Sequence, residues 1–222
     1  MLTVLPLSRR RAMSEAPVIL EIKNSVAHLT LNNPPKNEMD SFFFRELTRL
    51  RRETFPALQV KGMIIYGRKR HFSSGANINE LKTLYQSTNQ KPPTEFLNDN
   101  QKTFLAIESL PFPVVAVING CCLGAGLELA LSCHYRIASP HAVFSLPEIT
   151  FGLMPGCGGT IRLPKVVGKS KAMEMILTGD IISAEEACDI GLIEKVVEKR
   201  EIMNRAHAII NPIRTANNCT NG

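Results

Sequence analysis

The sequence predicts an α/β layer fold, and three observations predict it. Short runs rich in Val and Ile alternate with longer segments whose apolar residues recur at helical spacing. This switch repeats along the chain, and Gly or Pro marks most junctions. Such alternation packs helices on a sheet instead of forming a bundle or a sandwich.

Taken in order, "PVILEIKNSVAHLTLNNPP" reads as two short strands around the turn "KNS", stopped by Pro34 and Pro35. "MDSFFFRELTRLRRETF" places Phe43, Leu47 and Leu50 on one helical face, with Asp40 or Ser41 as the cap. "KGMIIYG", 61–67, is a strand; the basic loop "RKRHFSSG" and a helix from Asn77 to about Leu84 follow. The polar "YQSTNQKPPTEF" reads as a mobile connection, and Phe96, Phe104 and Ile107 mark a helix from Thr94 to Ser109 with Glu95 in its first turn.

"PVVAVING", 113–120, is a buried strand, and "CCLGAGLELALSC" reads as a turn into a helix. "YRIAS" and "AVFSL" are strands separated by Ser139, Pro140 and His141. "KSKAMEMILTG" and "SAEEACDIG" are helices closed by Gly179 and Gly191, the second capped by Ser183. A last helix spans about Glu198 to Ile210. The expected organisation is a basic flexible leader, 1–14, one core domain, 15–210, and a short tail, 211–222.

At 222 residues the chain is long enough for one substantial core. Its 26 Lys and Arg against 20 Asp and Glu give +6. The basic residues are interleaved with acids and accompany no zinc-finger, homeodomain or RNP pattern, so no nucleic-acid partner is expected. Six cysteines without a CxxC pair fit a reduced interior. "MLTVLPLSRRR" has its apolar run before its arginines, the wrong order for a secretory signal. A cytoplasmic location is expected, or a mitochondrial one if this leader acts as a presequence. The apolar runs are too short or too interrupted to span a membrane.

Three stretches carry chemistry. In "HFSSGANINEL", 71–81, small residues lead into a helix, so the backbone amides around Ala76 and Asn77 face outward; a plain tight turn at Gly75 is the alternative. In "INGCCLGAGLELA", 118–130, Gly120, Gly124 and Gly126 surround Ala125 at a strand-to-helix junction, again exposing amides. No GK[ST] follows and the spacing is not GxGxxG, which excludes a P-loop and a dinucleotide fingerprint.

Glu128 lies three residues after Ala125, on the same side of the helix, among apolar neighbours. A carboxylate there must be paired, cap something or do chemistry, and Arg136 is the alternative partner. Glu148 follows Pro147 in "FSLPEITFGLMPGCGGT"; Ile149, Phe151, Leu153 and Met154 give it surroundings that raise a carboxyl pKa, unless it is a surface-turn residue. Together, two amides able to grip one carbonyl oxygen and two carboxyls able to divide base and acid duties describe a reaction centre that builds an enolate.

At these stretches the sequence resembles the enoyl-CoA hydratase/isomerase family, the crotonases, and most of all its two-glutamate hydratase members. The likeness runs from Val18 to Ile210 through "LNNPPKNEM", "HFSSGANINEL", "VVAVINGCCLGAGLELALSC", "FSLPEITFGLMPGCGGTIRLPKVVG" and "LTGDIISAEEACDIGLIEKVV". It implies a spiral of repeated β-β-α units, assembled as a homotrimer or a dimer of trimers. It also implies an acyl-CoA thioester substrate, no metal and no cofactor beyond the coenzyme A that belongs to the substrate.

By the same resemblance, the amides of Ala76 and Ala125 form the oxyanion hole. Glu128 activates water and Glu148 handles the proton at C2, in syn addition across the 2,3 double bond. Substrate and CoA contacts are expected at Lys36, Arg70, Phe72, Ser74, Gly75, Asn77, Ile78, Gly124, Pro147, Gly156 and Gly158, with the "PGCGG" glycines shaping the acyl channel. An isomerase, a hydratase of an unusual acyl group, and a weakly active assembly subunit are the alternatives.

The chain departs from the pattern twice. Asn77 stands where the family commonly has aspartate, which implies altered substrate fit. The family's further C-terminal helical segment does not follow "ANNCTNG", which implies altered cover of the site and altered subunit packing.

Overall fold

The computed structural model describes residues 16–87 and 94–211. The leader, the middle of the polar connection and the tail beyond Asn211 therefore lie outside the described residues, as do the side chains of Glu95 and Phe96.

Six strands form the main sheet: β1 (Val18–Lys23), β2 (Val26–Leu31), β3 (Gly62–Gly67), β4 (Val114–Ile118), β6 (Tyr135–Ala138) and β9 (Lys195–Val196), in that spatial order. β1 and β2 form an antiparallel hairpin, and every later pairing is parallel. A second, small sheet contains β5 (Cys121–Leu123), β7 (Val143–Ser145) and β8 (Ile182–Ser183).

The helices are α1 (Ser41–Glu53), α2 (Ile78–Ser87), α3 (Thr94–Glu108), α4 (Ala125–Leu131), α5 (Gly159–Val167), α6 (Lys169–Thr178), α7 (Ala184–Asp189) and α8 (Ile202–Ile210). A 3-10 turn, Pro147–Phe151, follows β7.

The repeating β-β-α unit is visible in how the two sheets share the chain. β3 enters the main sheet, Ser73 makes a parallel bridge to Cys122 at the small sheet, and α2 follows. β4, β5 and α4 repeat that order one position along; β6 and β7 repeat it again, before the 3-10 turn and α5. Each turn advances both sheets by one parallel strand, which winds the chain as a spiral.

Strand alternation separates two cores. On β3 and β4, Met63, Ile65, Val114, Ala116 and Ile118 join the large core with Phe43, Leu47, Phe104, Leu127 and Phe144. Ile64, Val115 and Val117 face the other way, onto Ile202, Ala206 and Ile210 of α8. Covering both faces explains why "VVAVI" is apolar without a break.

The capping expectations are met by Asp40, whose Oδ1 accepts from Phe43 N at 2.8 Å, and by Ser183, whose Oγ accepts from Glu186 N at 3.1 Å. Several elements differ from the sequence reading. "CCL" is a strand where a turn was expected, because three residues suffice to pair with β7. α5 was not anticipated, since it opens on glycines and contains Pro164. α8 begins at Ile202, after a turn, and not at Glu198.

Candidate active site

Four chain segments build the site. The loop after β3 is held on both sides. Met39 N donates to Gly75 O at 2.8 Å and Asn77 N to Met39 O at 3.0 Å, while Ser73 N donates to Cys121 O and Leu123 N to Ser73 O, both at 3.0 Å. Because Gly75 and Asn77 make the bridge to Met39, the intervening Ala76 N–H points away from it.

The loop is also braced from within. Ser73 Oγ donates to Asn37 O at 2.7 Å and accepts from Gly75 N at 3.0 Å, and the fully buried Asn37 donates to Arg68 O and His71 O at 3.0 and 2.7 Å.

The second segment is the start of α4. Ala125 is its first residue, so its N–H has no acceptor within the helix. Among the described residues neither Ala76 N–H nor Ala125 N–H donates a hydrogen bond. The two turns abut because Gly75 has no side chain: a Cβ there would lie 2.7 Å from Leu123 O and 3.3 Å from Ala125 N.

The second segment also carries one carboxyl, Glu128; the third, the loop 157–159, holds it, and the fourth, the 3-10 turn, brings Glu148. Glu128, about one turn into α4, is 1% exposed, and its Oε1 accepts from Cys157 N at 2.7 Å and Gly159 N at 2.8 Å. Burial pushes its pKa up to about 7, against the opposing pull of those amides and of Arg162.

Arg162 itself clamps the loop that carries the amides. Its Nη1 donates to Cys157 O at 2.9 Å and its Nε to Glu108 Oε2 at 2.7 Å. Arg136, the alternative partner of Glu128, instead pairs with Glu194 at 2.6 Å and donates to Leu192 O.

Glu148 enters from the 3-10 turn. Its Oε2 is buried with no hydrogen-bond partner among the described residues. Burial first, and the negative charge of Glu128 second, push its carboxyl up to about 8. Gly124, at φ 51°, gives it room: a Cβ there would approach Glu148 Oε1 to 3.1 Å.

Both glutamates open on one cavity of about 340 Å³. Of the residues singled out from sequence, Ser74, Gly75, Ala76, Ile78, Gly124, Ala125, Pro147 and Gly156 also line it. Phe44, Leu81, Leu123, Phe151, Leu153 and Met154 make most of the remaining wall apolar.

Five expected contacts stand apart from the cavity. Phe72 is fully buried in the core, and Lys36 and Arg70 are exposed, Arg70 beside a separate cavity with His71 and His141. Gly158 packs against Arg162. Asn77 caps α2 through Oδ1, which accepts from Glu80 N at 2.9 Å, and its Nδ2 donates to Glu38 Oε2 at 2.8 Å. Sequence reasoning missed Asn37, Ser73 and Arg162; a polar residue inside a quoted motif is their one visible signal.

Comparison with known proteins decides the family. The family model described as enoyl-CoA hydratase/isomerase matches residues 21–219. The chain belongs to the enoyl-CoA hydratase/isomerase family.

It is 40% identical over 198 residues to the short-chain-enoyl-CoA hydratase of Clostridium acetobutylicum, covering 88% of this chain and 74% of that protein. A Thermobifida fusca relative, solved in complex with acetoacetyl-CoA, superposes with a TM-score of 0.79 at 29% identity, covering 90% of this chain and 81% of that one. The glyoxysomal fatty acid beta-oxidation multifunctional protein MFP-a of Brassica napus is 39% identical over 183 residues; the match takes in 82% of this chain but only 25% of that larger protein. The chain has the α/β architecture of the crotonase superfamily, with its repeated β-β-α units.

Proposed function

We propose that this chain hydrates 2-enoyl-CoA thioesters, adding water in syn fashion across the 2,3 double bond. One observation carries the reading: two carboxyls raised in pKa face one cavity beside two backbone N–H groups that have no acceptor among the described residues.

The thioester carbonyl accepts from Ala76 and Ala125, and the charge that moves onto its oxygen in the enolate is stabilised there, each donor contributing about 3 kcal/mol. Glu128, oriented by the Cys157 and Gly159 amides, takes a proton as water oxygen bonds C3. Glu148 gives its proton to C2. Its higher pKa suits the acid role, and the two carboxyls titrate as a coupled pair. One turnover leaves Glu128 protonated and Glu148 ionised, and proton exchange with solvent resets them.

The Clostridium relative's name and the acetoacetyl-CoA held by the Thermobifida relative support the substrate class. The assembly proposed is a homotrimer or a dimer of trimers, supported by Met173, Leu177 and Ile181, which are 46%, 60% and 64% exposed and seek cover.

Loss of the conjugated thioester absorbance, measured on short, branched and cyclic 2-enoyl-CoAs, tests the reaction. No turnover by folded protein rejects it. Glu148→Gln should abolish solvent-deuterium exchange at C2, and normal exchange would assign the acid elsewhere.

A further inference from the structure

Asn100, on α3, sits where the cavity holding Glu128 and Glu148 meets a second one. Asn100 and Phe44 line both. The second cavity, about 480 Å³, is otherwise bounded by polar side chains, among them Thr48, Arg52 and Asp99.

Asn100 is 2% exposed, and its Nδ2 is buried with no hydrogen-bond partner among the described residues. Its polar neighbours have partners of their own. Asp99 pairs with Arg51 and Arg52, Thr48 and Thr103 bond each other, and Gln101 donates to Gly156 O.

A buried amide donor without an acceptor is unfavourable, and a leucine would fill this wall, beside Phe44, without that cost. The donor has a use if the ligand brings the acceptor. Resting on the acyl-thioester reading above, we infer that Asn100 selects acyl groups carrying an uncharged oxygen, a keto or hydroxyl group, beyond C3. The amide bonds that oxygen and leaves a plain alkyl chain at a disadvantage, because a polar site without its partner discriminates against ligands that lack it. A carboxylate fits less well, since one neutral amide does not offset burial of a full charge. A hydroxyl suits either orientation of the amide, because it both donates and accepts.

Saturated thioesters separate this inference from the hydration chemistry, since they bind without being hydrated. Calorimetric titration of the full chain with hexanoyl-CoA, 4-oxohexanoyl-CoA and 5-oxohexanoyl-CoA should show one oxo form bound about tenfold more tightly than its parent. Asn100→Leu should reverse that order, and Asn100→Asp, an isostere that carries no donor once ionised, should abolish the preference when titrated at alkaline pH.

Equal affinity for all three ligands in the unsubstituted protein overturns the inference, as does an unchanged preference in both variants. If the leucine variant does not fold, the aspartate variant and the unsubstituted protein still decide. Preferential binding of an oxo ligand by a protein that turns over no enoyl-CoA would sink hydration and keep the role of Asn100. Failure to bind any acyl-CoA would end both.

Discussion

Glu128 and Glu148 face the same cavity from walls built in opposite ways. The Glu128 wall is a helix plus a glycine loop, and two amides fix one carboxyl oxygen while Arg162 braces the loop behind them. The Glu148 wall is a short 3-10 turn, and among the described residues its Oε2 has no hydrogen-bond partner. Both carboxyls are raised by burial, but only Glu128 has donors pulling its value back down from neighbouring segments. The difference separates a carboxyl fixed by amides of another segment from one that, among the described residues, has no such donor on Oε2.

Removing the carboxyls gives the largest expected effect and tests that difference directly. Glu128→Ala and Glu148→Ala should each lower kcat on the order of a thousandfold. Their stabilities should diverge. Glu128→Ala strands the Cys157 and Gly159 donors and should cost about 2 kcal/mol, whereas Glu148→Ala strands no donor of another residue and should leave the melting temperature unchanged or higher. Equal destabilisation would break the comparison.

Arg162→Met should have the next largest effect, a fall in kcat of about tenfold or more as the loop shifts. The Arg162 charge lowers the Glu128 pKa, so its loss raises it further, and the acidic limb of the pH–rate profile should move to higher pH. Arg162→Lys should return that limb most of the way while recovering less of kcat. An unmoved limb in the methionine variant would make Arg162 merely structural.

The smallest change is Asn77→Asp. It keeps the acceptor for Glu80 N but sets a carboxylate against Glu38, where Nδ2 now donates at 2.8 Å. A loss of about 1 kcal/mol, relieved by salt, is expected in thermal melts. KM should change more than kcat, and no change in either would detach this position from substrate fit.

Much of this was legible in the sequence because periodicity and glycine placement are local signals. The strand "VVAVI", the amphipathic α1 and the glycine-flanked Ala76 and Ala125 all stand where the pattern puts them. The spiral came from resemblance alone, since a parallel bridge such as Ser73 to Cys122 leaves no periodic trace.

What stayed hidden depends on contacts between distant segments. Nothing near Arg136 says that it belongs to Glu194, and nothing in "PGCGG" says that its amides aim at Glu128. That loop was expected to shape the acyl channel, and Gly156 and Cys157 do line the cavity. Its amides also orient a carboxyl, which spacing does not reveal. α5 escaped because Gly and Pro argue locally against the helix that packing stabilises.

The loop that presents Ala76 is stitched to Met39 on one side and to β5 on the other. Its geometry therefore exists only when segments far apart in the chain have already met, which ties it to slow, non-local closure. Amide exchange at Met39 and Asn77, whose N–H groups make the bridge, should then proceed through the same cooperative opening as the central strands, not through loop fraying. A site made this way is expected to be lost with the fold, so mild denaturant should remove acyl-CoA binding and tertiary structure together.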